Sequence, residues 1–293
     1  MIEHSQSSTP RRGALYLVST PIGNLEDISL RALRILREAD LIACEDTRQS
    51  QKLLSHYEIH NKLISCHEHN ESERAPELVS RMEQGARIAL VTDAGTPSIS
   101  DPGYRLVRSC LEHEIPVIPI PGPSALTAAL AASGFATDEF TFVGFPPRVG
   151  GKRRKSLEKL KTEPRTLIFY EAPHRVMGFL EDAFRVFGNR RAVIAREVTK
   201  VYEEFLRGNL GELLDAVRRT PLRGEITVLI AGASGESTGG VGVPHTIAER
   251  IEQIAREQGL DPKTALKKAA REHGLTRREA YKQWIVSRGK ADK

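Results

Sequence analysis

Four times along this chain an apolar run of a few residues breaks into a loop of Gly, Pro, Ser, Thr and Asp. The stretches are LYLVSTPIGNLED (15–27), IALVTDAGTPSISDPG (88–103), VIPIPGPSALTAAL (117–130) and ITVLIAGASG (226–235). Between them, apolar residues recur at helical spacing, as in Ile28, Ala32, Ile35, Leu36 and Ala39, or Tyr104, Val107 and Leu111. Strand, loop and helix in that alternation imply a mostly parallel sheet with helices on both faces. In such sheets, ligands bind in the crevice at the carboxyl ends of the strands. Loops of this composition let backbone approach a ligand closely, since Gly has no Cβ and Pro presets φ. None of them reads GxGxxG or GxxxxGK[ST], so they point to a small-molecule site of another kind.

The pattern predicts strands at 15–19, 41–44, 62–65, 87–91 and 116–120, with helices over 28–39 and, behind the natural N-cap Ser124, over 124–133. After Gly134 the character changes. Strands are expected at 140–145, 166–170, 192–196, 202–206 and 225–231, separated by helices near 151–161, 174–187 and 209–219. Direct succession of some strands suggests a mixed sheet in a second α/β domain. At 293 residues the chain exceeds the size at which one core stops growing, so several domains are expected. The division reads 1–12 as a disordered tail, 13–121 and 122–232 as two α/β domains, 233–244 as a Gly/Ser-rich linker and 245–293 as a helical module. In that module, helices are expected over 246–258 and 265–273, and Thr276 with Glu279 forms a capping box for a last helix.

No apolar stretch approaches the length of a membrane span, and the polar start lacks the apolar core of a secretory signal. Cys44, Cys66 and Cys110 are an odd set without CxxC spacing, which argues for a reducing, cytoplasmic compartment and against a disulfide framework or structural zinc. The run Cys66-His67-Glu68-His69 lacks the usual ligand spacing, and no metal is expected. Charge is uneven. Residues 261–293 hold ten Lys/Arg against four Asp/Glu, whereas residues 1–260 hold 33 against 34. A second basic knot, Lys152-Arg153-Arg154-Lys155, opens a helix. The two runs point to a polyanion partner, most simply nucleic acid, through Lys152, Arg153, Arg154, Lys155, Arg277, Arg278 and Lys282.

The loops then become specific enough for a comparison. STPIGNLEDIS (19–29), CEDTR (44–48), VTDAGTPSISDPG (91–103), PGPSA (121–125), FVGFPPR (142–148), FYEAPHR (169–175), ARE (195–197) and GEITVLI (224–230) resemble the tetrapyrrole-methylase fold class of S-adenosylmethionine-dependent methyltransferases. More narrowly, the chain resembles the bacterial family that methylates the ribose 2′-hydroxyl of a decoding-region cytidine in small-subunit rRNA. The resemblance spans residues 14–232 and implies two α/β domains with the cofactor, S-adenosyl-L-methionine, in the cleft between them, a small-subunit rRNA or ribosomal-subunit partner, and a homodimer. Carried over residue by residue, it makes Thr20, Pro21, Asp93, Gly95, Thr96, Pro97, Ile99, Ser124, Ala125, Tyr170, Glu171, Gly224 and Glu225 cofactor-lining. The fold class has a Gly-Asp-Pro loop where this chain has Gly95-Thr96-Pro97, which leaves an Asp-specific contact without a counterpart.

Methyl transfer to a ribose oxygen needs positioning and a proton acceptor. Asp46, Asp101 and His174 are the candidates on cleft loops, each with an alternative role as N-cap or loop ion pair, and the sequence does not choose among them. Two other functions stay open: a porphyrin-like small-molecule methylase of the same fold, and a non-enzymatic RNA-binding protein. Bulk at Gly95 is expected to abolish cofactor binding with little change in stability.

Overall fold

The computed structural model describes residues 13–233 and, beyond them, 251, 254, 255, 259–272, 276, 279–282 and 284. The expected tail at 1–12 and all of the expected linker after residue 233 lie outside the described residues. The chain divides into two compact units, Met1–Ala233 and Ser234–Lys293.

The first unit holds two five-stranded sheets. The first sheet is wholly parallel, in the order β3-β2-β4-β1-β5, from β1 (Ala14–Val18), β2 (Leu41–Cys44), β3 (Leu63–Ser65), β4 (Arg87–Val91) and β5 (Val117–Ile120). Its central strand β4 reads as the continuous apolar run of a strand buried on both faces. Ile88 and Leu90 pack with α3 (Glu71–Glu83) and α4 (Tyr104–Glu112), while Ala89 and Val91 pack with α1 (Leu30–Glu38) and α2 (Thr47–His56). The connection β1 to β2 runs to one side and β4 to β5 to the other. The switch point therefore falls between β4 and β1, where an open α/β sheet leaves its binding crevice.

The second sheet is mixed, in the order β6-β7-β10-β8-β9. It contains β6 (Phe140–Gly144), β7 (Thr166–Glu171), β8 (Arg191–Arg196), β9 (Glu204–Asn209) and β10 (Ile226–Ile230), and only β6–β7 is parallel. On one face lie α7 (Pro173–Phe187) and α8 (Leu210–Arg219), with Leu157 of α6 (Gly150–Glu158). On the other, Ala129 and Leu130 of α5 (Ala125–Ser133) pack with Ile168, Val193 and Leu229, and Ile22 from the loop after β1 joins the same cluster. That shared core ties the crevice loop of one sheet to the face of the other.

Two expectations shift. The strand expected at 202–206 is Glu204–Asn209, because residues 197–203 form a turn with Glu197 and Thr199 in the left-handed region (φ 51° and 71°). The turn is held by the Thr199 N–H donating to the Glu203 carboxylate at 2.7 Å. Asp46, expected on a cleft loop, instead stands at the start of helix α2, which it caps.

In the second unit, Asp261 caps α9 (Pro262–Glu272) by accepting the N–H groups of Lys263 and Thr264 at 2.9 and 3.2 Å. This helix buries Ala265, Leu266, Ala269 and Ala270 against Ile251, Ile254 and Ala280. The expected box at Thr276 and Glu279 forms, with the Thr276 N–H donating to the Glu279 carboxylate at 2.8 Å and the Glu279 N–H to the Thr276 hydroxyl at 3.4 Å.

Candidate active site

The long loop after β4 is held in a shape that few residues adopt. Gly95 (φ 90°), Ser98 (69°), Ser100 (63°) and Gly103 (131°) all have positive φ, and two non-glycine residues in the left-handed region within three positions are uncommon. Gly95 exchanges both backbone hydrogen bonds with Thr20, at 2.9 and 3.0 Å. The Ser19 and Thr96 hydroxyls lie 3.0 Å apart, and the Thr20 hydroxyl donates to the Thr92 carbonyl at 3.0 Å. At the far end, buried Glu71 accepts the N–H groups of Gly103 and Leu106 at 3.1 and 3.0 Å, capping α4 from the start of α3. The strain of this loop is thus held in place by neighbours just after β1 and at the start of α3.

The loop forms one wall of a cavity of about 430 Å³, a size suited to a small-molecule ligand. Ile22, Glu45, residues 93–96, residues 99–101, Ser124 and Ala125 line it from the first sheet's carboxyl edge and the start of α5. Phe145, residues 170–173 and residues 224–227 line it from the second sheet. Of the residues assigned to the cofactor, Asp93, Gly95, Thr96, Ile99, Ser124, Ala125, Tyr170, Glu171, Gly224 and Glu225 lie on this surface. Thr20, Pro21 and Pro97 do not. They are buried beneath it, with the Thr20 hydroxyl engaged by Thr92, and Ile22 takes the lining position.

Of the five carboxylates that line the cavity, Glu45, Asp93 and Asp101 act on one another. Burial foremost, then the negative charge of Glu45, push the Asp101 carboxyl up to about 7, against an opposing pull from the Thr92 hydroxyl and with a lesser push from Asp93. Asp93 is raised as well, by desolvation first and by the neighbouring Asp46 charge, although it accepts the Asp46 N–H at 3.2 Å. Glu45 accepts the Thr92 hydroxyl at 3.0 Å. Tyr170, raised by burial, accepts the Leu126 N–H at 3.1 Å, and so fixes the start of α5. Glu171 is nearly sealed from solvent. Its carboxylate accepts the Ala172 N–H at 2.9 Å and Arg175 at 3.0 Å, and Arg175 also donates to the Pro146 carbonyl at 2.7 Å. Glu171 therefore presents a committed carboxylate, and its work is to hold the wall.

Among the three candidate proton acceptors, the structure separates Asp101 from the others. Asp46 lies outside the cavity lining. Its oxygens accept the Arg48 backbone N–H at 2.8 Å and the Arg48 guanidinium at 2.9 and 3.2 Å, which holds its carboxyl down at about 2. A helix cap and an ion pair account for its contacts. His174 is exposed on the first turn of α7 and also lies outside the lining.

The basic knot divides as well. Lys152 and Lys155 are exposed, whereas Arg153 turns inward, with side-chain exposure of 9%. Its guanidinium meets Asp182 at 2.7 Å and the Gly178 carbonyl at 2.9 Å, so it pins α6 to α7 and is corrected as an RNA contact. Arg154 also reaches Asp182, at 3.1 Å. In the second unit Lys282 is exposed, while Arg277 and Arg278 lie outside the described residues.

Glu45, Ala94, Ser100, Phe145, Ala172, Pro173, Ile226 and Thr227 line the cavity without having been singled out from sequence. The signal for several was present, because Glu45 and Phe145 directly follow the ends of β2 and β6, where such a crevice forms. Among the described residues, no three His, Cys, Asp or Glu stand together so as to hold a metal ion. Cys66 and Cys110 are buried thiols pushed up to about 11 and about 12 by desolvation.

A family model for Tetrapyrrole (Corrin/Porphyrin) Methylases matches residues 14–214. The chain is 45% identical over 281 residues to the Ribosomal RNA small subunit methyltransferase I of Halalkalibacterium halodurans, covering 95% of this chain and 97% of that one. It is 46% identical over 285 residues to the protein of the same name from Pseudomonas aeruginosa, covering 95% and 99%. Its fold is that of the Thermus thermophilus uroporphyrin-III C-methyltransferase, solved with S-adenosyl homocysteine, with a TM-score of 0.54 and 19% identity over 75% of this chain and 97% of that one. The chain belongs to the tetrapyrrole methylase family, in the branch of those small-subunit methyltransferases.

Proposed function

We propose that this member of the tetrapyrrole methylase family transfers a methyl group from S-adenosyl-L-methionine to the ribose 2′-hydroxyl of a cytidine in the decoding region of 16S (small-subunit) rRNA. The observation that carries the reading is a cavity at the strand switch point whose lining brings Glu45, Asp93 and Asp101 together, with burial pushing the Asp101 carboxyl up to about 7. The names and near-complete coverage of the relatives support an rRNA substrate.

The lining suits the cofactor. Apolar walls from Ile22, Ala94, Ile99 and Ala125 offer room for a flat heterocycle, and carboxylates such as Glu45 and Asp93 offer negative charge to a cation. When bound, S-adenosylmethionine supplies an electrophilic methyl on a sulfonium sulfur that leaves as a neutral thioether. Asp101 accepts the proton that the ribose hydroxyl gives up as its oxygen gains the methyl. A base of pKa near the working pH combines a useful ionised fraction with proton affinity, a contribution typically worth about 10²–10⁴-fold. Burial, helped by Glu45 and Asp93, keeps Asp101 in that range, and Glu171, with Arg175, keeps the opposite wall in place.

The reading extends to the whole protein: one α/β domain per sheet, joined near residues 121 and 122, a basic C-terminal module that holds RNA through Lys282, Arg277 and Arg278, and a homodimer in the cytoplasm. No described helix is long and apolar enough to cross a membrane. On α4, exposed Tyr104 and Leu111, with Val107 between them, offer an apolar stripe for a second copy.

Incubating the purified protein and labelled S-adenosylmethionine with small ribosomal subunits from a strain lacking the gene tests this. Label is expected in rRNA. Label entering uroporphyrinogen instead would favour the small-molecule reading, and cofactor binding without transfer to either would leave only an RNA-binding protein.

A further inference from the structure

One large apolar side chain on the cavity wall faces solvent by construction. Phe145 is 54% exposed and still lines the cavity. Pairing of β6 with β7 shifts register between Phe142 and Gly144, the mark of a bulge, and bulges beside active sites commonly re-aim a side chain. Gly144 turns the chain with φ 72°, and a Cβ there would stand 2.8 Å from the Ser100 hydroxyl of the strained loop, so the kink is specific to glycine. Immediately after Phe145, the Pro146 carbonyl is clamped by Arg175. The ring rests against Tyr170 with centroids 5.5 Å apart, and Tyr170 meets Phe142 edge-on at 5.0 Å. An aromatic ladder thus runs from the sheet to the cavity mouth and ends in a ring that is half exposed, packed against Tyr170 and carried on backbone fixed by the Pro146 clamp.

We propose that the Phe145 ring is the platform on which a nucleobase of single-stranded RNA stacks, so that the attached ribose enters the cavity. This inference rests on the RNA-methylating function proposed above. A ribose hydroxyl drawn into an enclosed cavity is best presented by an unstacked nucleotide, and aromatic faces hold unstacked bases with little regard to sequence. The neighbouring cations fit the same ligand. Arg148 is exposed three residues on, and exposed Lys152 and Lys155 follow on α6, where a phosphate backbone leaving the stacked base could be met. A ring already packed against Tyr170 loses less freedom on binding than a free one would.

The test uses the full chain, small ribosomal subunits as the RNA substrate, and the variants Phe145→Ala, Phe145→Leu and Phe145→Tyr. Phe145→Ala should raise KM for the subunits on the order of ten- to a hundredfold, the loss expected for one stacked base. Cofactor affinity by calorimetry and the melting midpoint should stay unchanged. Phe145→Leu, which keeps apolar bulk without an aromatic face, should behave like Phe145→Ala, and Phe145→Tyr should restore wild-type KM. Unchanged KM in Phe145→Ala overturns the platform, and so does full rescue by Leu. Weakened cofactor binding with unchanged KM for RNA shows that the ring serves the cofactor's adenine and also overturns it. If wild-type protein methylates no RNA, the proposed function falls and the platform with it. An active wild type beside an unaffected variant removes the platform alone.

Discussion

Asp101 sits where burial and two like charges all oppose its ionisation, and this sets opposite signs for activity and stability. Its folded pKa, about 7, lies above the unfolded value near 3.8, so the folded chain holds a proton that the unfolded chain releases between those pH values. Stability therefore falls as pH rises through that window, and activity rises as the base is freed. Asp101→Asn should cut kcat by about 10²–10⁴-fold while raising the melting midpoint at pH 8 and leaving it unchanged near pH 3. In the wild type, the acid limb of kcat/KM for the cofactor should fall away below about 7 and vanish in the variant, as a pH–rate series would show. Gly95 corrects a simpler idea. Both its backbone groups are bound to Thr20 and its φ is 90°, so a side chain there strains the fold whatever space surrounds it. Gly95→Ala should cost about 1–2 kcal/mol in urea unfolding, and loss of cofactor binding in Gly95→Val will come with lost stability. The glycine was legible as a site residue, but its dependence on Thr20, 75 residues earlier, was not.

Elements were legible where periodicity was strong and obscure where polar residues carried the local structure. The apolar runs of β1, β4 and β10 and the stripe of α1 were readable directly. Helix α2, TRQSQKLLSH, buries only Ser50 and Leu54, too little to show a period, and what starts it is the Asp46 cap. Strand β9 slipped because the preceding turn needs left-handed Glu197 and Thr199, residues with no strong preference for that conformation. Helix α6 shows how one basic run serves two purposes. Arg153→Ala should cost about 3–5 kcal/mol in equilibrium unfolding, because it leaves Asp182 buried with its main partner gone. Lys152→Ala and Lys155→Ala should stay within about 0.5 kcal/mol of wild type. Those two substitutions, like the triple change of Arg277, Arg278 and Lys282 to Ala, should weaken binding to small subunits and lower the slope of log K against log salt by roughly one per lost phosphate contact. Cofactor affinity by calorimetry should not move. A salt slope equal to wild type would assign these cations to a solvated surface.

At the scale of the molecule, two sheets of different kinds supply one cavity. The parallel sheet contributes the switch-point loops and their carboxylates, and the mixed sheet contributes the aromatic and apolar wall. The loop compositions marked both halves in the sequence. Which loops meet could not be read there, because Ile22 joins the second sheet's core only through long-range packing. The charge is divided as sharply as the architecture, with the excess of Lys/Arg concentrated in residues 261–293 and a near-neutral remainder. A catalytic body and a basic module for a polyanion are the simplest reading of that division. The central claim is that the methyl group goes to a ribose oxygen of RNA with Asp101 taking the proton. Fragmentation mass spectrometry of nucleosides from subunits treated with the purified protein reads this directly. The account predicts a cytidine heavier by one methyl group in place of one hydrogen, with the added mass on the ribose fragment and an unshifted cytosine ion. A shifted base ion, or equal yield from Asp101→Asn protein, would contradict it.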